Sequence, residues 1–174
     1  MPIEPDAKDW TWVLTRPCAE CGFDARVFPR EQVGAMVRDN AEQWQGVLSR
    51  ADVRERPDDA TWSPLEYACH VRDVFRLYDD RLRMMLDQDD PLYANWDQDE
   101  TAVAERYGEQ DPHQVARELG SAADAIAKRF DGVQGEDWDR RGRRSDGASF
   151  SVESFARYFA HDWTHHLWDV TARA

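Results

Sequence analysis

Apolar side chains recur every three or four positions in four stretches of this chain, and between those stretches the pattern breaks into Pro, Gly and charge. Val33, Val37, Trp44, Val47 and Leu48 predict a first helix over about residues 29–49, with Pro29 and Glu31 suited to its first turn. The second helix has the clearest start. Ser63 can cap it, Pro64 fits the first helical position, and Glu66 completes a capping box. Leu65, Ala68, Val71, Phe75, Tyr78, Leu82 and Met85 then carry it to Leu86 or Asp87. Asp90-Pro91 is a break, and a short helix is predicted around residues 100–107. Asp111-Pro112 opens a third long helix through Val115, Leu119, Ala122, Ala123, Ile126 and Phe130, ended by Gly132 and Gly135. Residues 139–147 read as a charged turn. A last helix starts near Ser151 and carries Val152, Phe155, Phe159, Trp163, Leu167 and Val170. No stretch shows β alternation, so the expected fold is all-α, a helical bundle over residues 29–174. Residues 1–28 lack a period. Trp10, Trp12, Val13 and Leu14 followed by Pro17-Cys18-Ala19-Glu20-Cys21-Gly22 predict an arm that packs its aromatics on the bundle, with a tight turn at Gly22.

Composition narrows the function. A chain of 174 residues, 41% hydrophobic with eight Trp and seven Phe, is expected to fold as one domain. A net charge of −13, from 35 acidic against 22 basic residues, argues against a phosphate-backbone binder. The one dense basic run, Arg140 to Arg144 around Gly142, reads as a loop, and no nucleic-acid partner is expected. The acidic, proline-broken opening Met1 to Asp6 is unlike a secretory leader, and no apolar run approaches the roughly 20 residues of a membrane span. Three Cys suit a reducing compartment, so the expected location is cytoplasmic, without a membrane partner.

Five His are present, and His161 and His165 stand four apart on the last helix, about 40° from one another around its axis. They can give two imidazoles to one metal, or they are two surface or capped histidines at a chance spacing. His70, on the second helix, is a candidate third ligand or a core-edge imidazole. Asp73 is placed one turn on to orient it, and Asp162 and Asp169 are alternative orienters or carboxylate ligands. Cys18 and Cys21 form a CxxC pair. It reads as half of a four-ligand zinc knuckle, a dithiol redox pair, or two packed thiols. No second CxxC exists, Cys69 lies beside His70, and His113 is isolated, so a zinc site there needs ligands from elsewhere.

The segment Trp62-Ser63-Pro64-Leu65-Glu66-Tyr67-Ala68-Cys69-His70, with His161-Asp162-Trp163-Thr164-His165-His166-Leu167-Trp168-Asp169 far downstream, resembles the DinB-like superfamily over about residues 30–172. That superfamily includes mycothiol-dependent maleylpyruvate isomerases and bacillithiol transferases. The resemblance implies a four-helix bundle of up-down-down-up topology. It also implies that His70, His161 and His165 hold one divalent metal, zinc or nickel, with Asp73, Asp162 and His166 in support. The function it implies is a thiol transferase or isomerase. A small thiol, with mycothiol favoured, would bind the metal as a nucleophile and meet an unknown electrophile. The alternative is a non-catalytic metal-binding or partner-binding bundle of the stress-response type, with a second copy of the chain as an allowed partner. No strand-glycine-helix nucleotide site supports a methyltransferase.

Overall fold

The computed structural model describes residues 9–172; the acidic opening 1–8, on which the leader argument rests, and residues 173–174 lie outside the described residues. Five α-helices are formed among the described residues: α1 (Val33–Leu48), α2 (Pro64–Asp87), the short α3 (Gln98–Ala104), α4 (Pro112–Asp131) and α5 (Val152–Thr171). The start signals act as their chemistry demands. Ser63 accepts from the Glu66 N–H while the Glu66 carboxylate accepts from the Ser63 N–H at 2.8 Å, satisfying two donors that a helix end otherwise leaves unpaired. Asp111 caps α4, and Ser151 with Ser154 makes a second capping box at α5. α1 begins later than its pattern predicts. Residues Arg30–Gln32 form a 3-10 turn first, with no side-chain cap, and the α-helical ladder starts at Val33. The short helix is also shifted, to Gln98–Ala104, because Asp97 caps it and Arg106 takes a left-handed conformation that ends it.

α4 packs along both α1 and α2, and α5 closes the other side against the same two helices. Trp44, Phe75, Leu82, Leu119, Ile126 and Phe159 fill the centre. No described helix is long and apolar enough to cross a membrane.

The expectation of a purely α fold needs correction. Three short strands form one sheet: β1 (Leu92–Tyr93) pairs parallel with β2 (Arg141–Arg144), and β2 pairs antiparallel with β3 (Ser149–Ser151). The stretch read as a charged turn is this hairpin. Its only inward residues are Gly142 and Phe150, so the arginine-rich strand carries no apolar alternation to read. Gly142 is required there, since a Cβ would meet Met85 Cγ at 2.7 Å and the Tyr93 ring at 3.0 Å. The basic run is engaged internally. Arg140 donates to the Met85 and Gln88 carbonyls at the end of α2, each at 2.8 Å, and Arg143 pairs with Asp90.

The arm lies on α5. A 3-10 turn, Trp10–Leu14, is capped by the Asp9 carboxylate accepting from the Thr11 N–H. The CxxC segment then folds into a tight turn: the Gly22 N–H donates to the Cys18 carbonyl at 3.0 Å, with Gly22 at φ +75°, and the Cys18 N–H donates to the Phe23 carbonyl at 2.8 Å.

Candidate metal centres

Four ligand-type side chains stand on two adjacent strips of α5, one residue and about 100° apart. His161 and His165 face the arm. Asp162 and His166 face α2. The ligand atoms accordingly gather in two groups among the described residues, His70 with Asp162 and His166, and Cys18 and Cys21 with His161 and His165; within each group all lie within 4.8 Å of one another.

In the first group His70 is fully buried, and neither of its ring nitrogens has a hydrogen-bond partner. Its Nε2 lies 3.5 Å from Asp162 Oδ1, which is likewise without a hydrogen-bond partner, and His166 Nε2 lies 3.9 Å from the same oxygen. His166 Nδ1 is 3.1 Å from Asp169 Oδ2, so the carboxylate takes one nitrogen and leaves the other toward Asp162. Trp62 and Trp96 flank His70, with Trp96 stacked at 5.4 Å between ring centroids. Burial pushes the His70 pKa down against the opposing pull of Asp162, so the imidazole is neutral. Burial alone would raise Asp162, but His70 and His166 beside it outweigh that and hold it at about 2. Neutral imidazoles and an ionised carboxylate are the protonation states that bind metal. Buried polar atoms without partners are rare in proteins, and His70 Nε2 and Asp162 Oδ1 facing each other, with His166 Nε2 beside them, fit a divalent cation.

In the second group the Cys18 Sγ and His165 Nδ1 are 3.6 Å apart, and the Nε2 of His161, a residue 5% exposed, has no hydrogen-bond partner. His165 Nε2 lies 3.3 Å from the Glu20 carboxylate and 3.8 Å from Asp169. Trp10 packs on both imidazoles at 5.7 and 5.8 Å, and Phe23 on His161 at 5.7 Å. Burial and the neighbouring His165 bring the His161 pKa down to about 4, and burial pushes the Cys21 thiol up to about 11.

The three histidines expected in one centre are thus divided between two. The physical reason is the phase of α5: the 162/166 strip faces His70, whereas the 161/165 strip faces the arm. Asp73, expected to orient His70, directs its carboxylate to Arg72 (2.9 Å), Arg76 (3.2 Å) and the Tyr107 hydroxyl (2.6 Å) instead. Cys69 and His113 join neither group.

A cleft of about 360 Å³ ends on Asp162 and is lined by Trp10, Arg81, Trp96, Arg144 and Tyr158 among others. A narrower space of about 100 Å³ continues from Asp162 and Tyr158 to His161, His165 and His166. A larger cavity of about 830 Å³ lies beside α3, but no member of either ligand group lines it. Arg81 is one of the cleft residues that sequence reasoning missed. It is 5% exposed, donates to the Ala94 carbonyl at 2.7 Å, and lies over the Tyr93 ring at 4.8 Å. A signal existed: eleven residues beyond His70 on α2, it falls within about 20° of the same face, a charge on an apolar stripe.

Fold and site together define a helical bundle with two groups of potential metal ligands, and the sequence places it. Residues 34–170 match the DinB superfamily, and the chain belongs to that superfamily. Among solved structures it is similar to YfiT from Bacillus subtilis, a probable metal-dependent hydrolase with an unusual four-helix bundle topology. The TM-score is 0.69 at 16% identity, covering 83% of this chain and 85% of that one. No curated protein matches the sequence.

Proposed function

We propose that His70, Asp162 and His166 hold a divalent metal, zinc or nickel, at the inner end of the cleft, and that the protein transfers or isomerises through a low-molecular-weight thiol such as mycothiol. The observation that carries this reading is the approach of His70 Nε2 to Asp162 Oδ1, both lacking hydrogen-bond partners, with Asp162 lining a 360 Å³ cleft. Three protein ligands leave coordination open, and a metal there would supply Lewis acidity that lowers the pKa of a thiol or water it binds. Asp169 fixes His166, while Trp62 and Trp96 keep water from His70. Arg81 and Arg144 give the cleft two guanidinium groups, suited to an anionic or strongly polar electrophile. The reading takes the four long helices in up-down-down-up order, supported by the long connection 88–111 between α2 and α4 that can return the chain to its starting end. Relative to the sequence expectation, it keeps His70 and moves the α5 ligands one residue on.

A second reading is metal-dependent hydrolysis, as described for YfiT, favoured by the narrow 100 Å³ space against Asp162 and His166 that suits a water. Calorimetric titration of metal-loaded protein with mycothiol, bacillithiol and glutathione separates the readings. Binding of one thiol is expected, lost in Asp162→Ala and His166→Ala. Metal-loaded wild type that binds none of them sinks the thiol reading, and ester or amide hydrolysis by that same protein establishes the second. A folded His165→Ala protein that loses thiol binding, where Cys18→Ser with Cys21→Ser retains it, returns His165 to the reactive centre.

A further inference from the structure

We propose that Cys18, Cys21, His161 and His165 form a separate, four-ligand zinc site that fastens the N-terminal arm to α5. The donor set is chemically complete. Two thiolates and two imidazoles close the tetrahedral shell of zinc and leave no position for substrate, which marks a structural ion and not a reactive one. The local folds deliver the pairs independently. The turn closed at Gly22 brings the two sulfurs to one side of the arm, and helical spacing of four brings the two imidazoles to one strip of α5.

The distances agree. Zn–S of about 2.3 Å and Zn–N of about 2.0 Å at a tetrahedral angle separate sulfur from nitrogen by about 3.5 Å. Cys18 Sγ and His165 Nδ1 are 3.6 Å apart, and all four ligand atoms lie within 4.8 Å of one another. His161, 5% exposed, belongs to the same group and carries an Nε2 without a hydrogen-bond partner. With Nδ1 toward Cys18, His165 keeps its proton on Nε2, where the Glu20 carboxylate lies 3.3 Å away to accept it. On binding, the two thiols release their protons and the two imidazoles bind neutral. The filled site then carries no net charge, which suits its surroundings of Trp10, Trp12 and Phe23. The consequence reaches the cleft, because Trp10 lines both the 360 Å³ space and the narrower one beside Asp162. The clamp therefore holds one wall of the site. It stands independently of the centre at His70, which contains no sulfur.

Cobalt substitution tests it on the full chain. Cobalt(II) protein should show near-ultraviolet thiolate-to-metal charge transfer and the intense visible bands of a tetrahedral site. Cys18→Ser with Cys21→Ser should abolish the charge transfer, weaken the visible bands and lower the metal content by one ion per chain, whereas His70→Ala with His166→Ala should leave the charge transfer in place. His161→Cys, which preserves a four-ligand set, should strengthen the charge-transfer band as two thiolates become three, and it serves if the serine variant does not fold. Chelation should also open trypsin cleavage after Arg26, next to the 77% exposed Val27. A cobalt-loaded wild type without thiolate charge transfer, a charge-transfer band that survives the double serine change, or one unaltered by His161→Cys overturns the proposal. Failure of thiol binding at the His70 centre leaves the charge transfer unaffected, so the two readings fail separately.

Discussion

Asp169 Oδ2 stands 3.1 Å from His166 Nδ1, and this contact decides which nitrogen of His166 is left to face Asp162. The same oxygen lies 3.8 Å from His165 Nε2, so one buried carboxylate supports an imidazole in each ligand group. Removing its charge should loosen His166 most. Asp169→Asn is expected to weaken metal binding at the His70 centre by about 10- to 100-fold, the usual effect of losing a carboxylate behind a ligating histidine. Competition against a chelator of known affinity measures it. Unchanged affinity would show that His166 is not a ligand.

The long helices were readable because local chemistry declares them: Ser63 with Pro64 and Glu66, Asp111 with Pro112, and an apolar stripe from Phe155 to Val170. The strand Arg141–Arg144 was not, because Gly142 is its one buried position and its parallel neighbour Leu92–Tyr93 is remote in sequence. The site was readable as residue types but not as a partition. Whether 161/165 or 162/166 meets His70 is a rotation of about 100°, set by how α5 seats on α2 and the arm. Likewise 147 residues separate Cys18 from His165, and no local pattern announces that contact.

Two glycines in α1 should respond oppositely to alanine. A Cβ at Gly34 would run into the Asp131 carboxylate and come within 2.9 Å of the Ala127 carbonyl, where α1 meets α4. Gly34→Ala should destabilise by about 1–3 kcal/mol, as overpacking does. At Gly46 nothing lies within 4 Å of the added methyl, so Gly46→Ala should stabilise by about 0.5–1 kcal/mol through helix propensity. Urea unfolding of the three proteins gives both signs. Equal effects at the two positions would contradict the close α1–α4 approach.

Glu66 ties pH to stability. Burial would raise its pKa, but hydrogen bonds from Arg56, at 2.9 Å to one oxygen, and from Ser63 outweigh burial and bring it below the ordinary 4.5. A depressed carboxylate stabilises the fold fully above its unfolded pKa and loses that contribution as pH falls through the folded value. Glu66→Gln should therefore be less stable than wild type at pH 7 by on the order of 1 kcal/mol. The gap should begin to shrink below about pH 4.5 and close once Glu66 is protonated. Chemical unfolding of both proteins at intervals from neutral to acid pH tracks the gap, and one that stays constant throughout refutes the pairing.

The three thiols should separate by reactivity. Cys69 is fully buried on α2, its Sγ within 3.5 Å of the Gln110 side-chain oxygen and 3.8 Å of the Tyr107 carbonyl, so no reagent reaches it without unfolding. Cys18 and Cys21 lie in the arm turn, where Cys21 is only half-buried. Reactivity follows access and thiolate character, and a bound metal ties up both sulfurs. Metal-loaded protein should show no rapidly reacting thiol toward a coloured disulfide reagent. Chelated but folded protein should show two, and the third should appear only in denaturant. The Cys69→Ala variant should keep both rapid thiols after chelation, because its sulfur lies outside the arm. Two rapid thiols already present in the metal-loaded wild type would mean that the arm cysteines hold no ion, and a Cys69→Ala variant with one rapid thiol would place Cys69 in the turn's company.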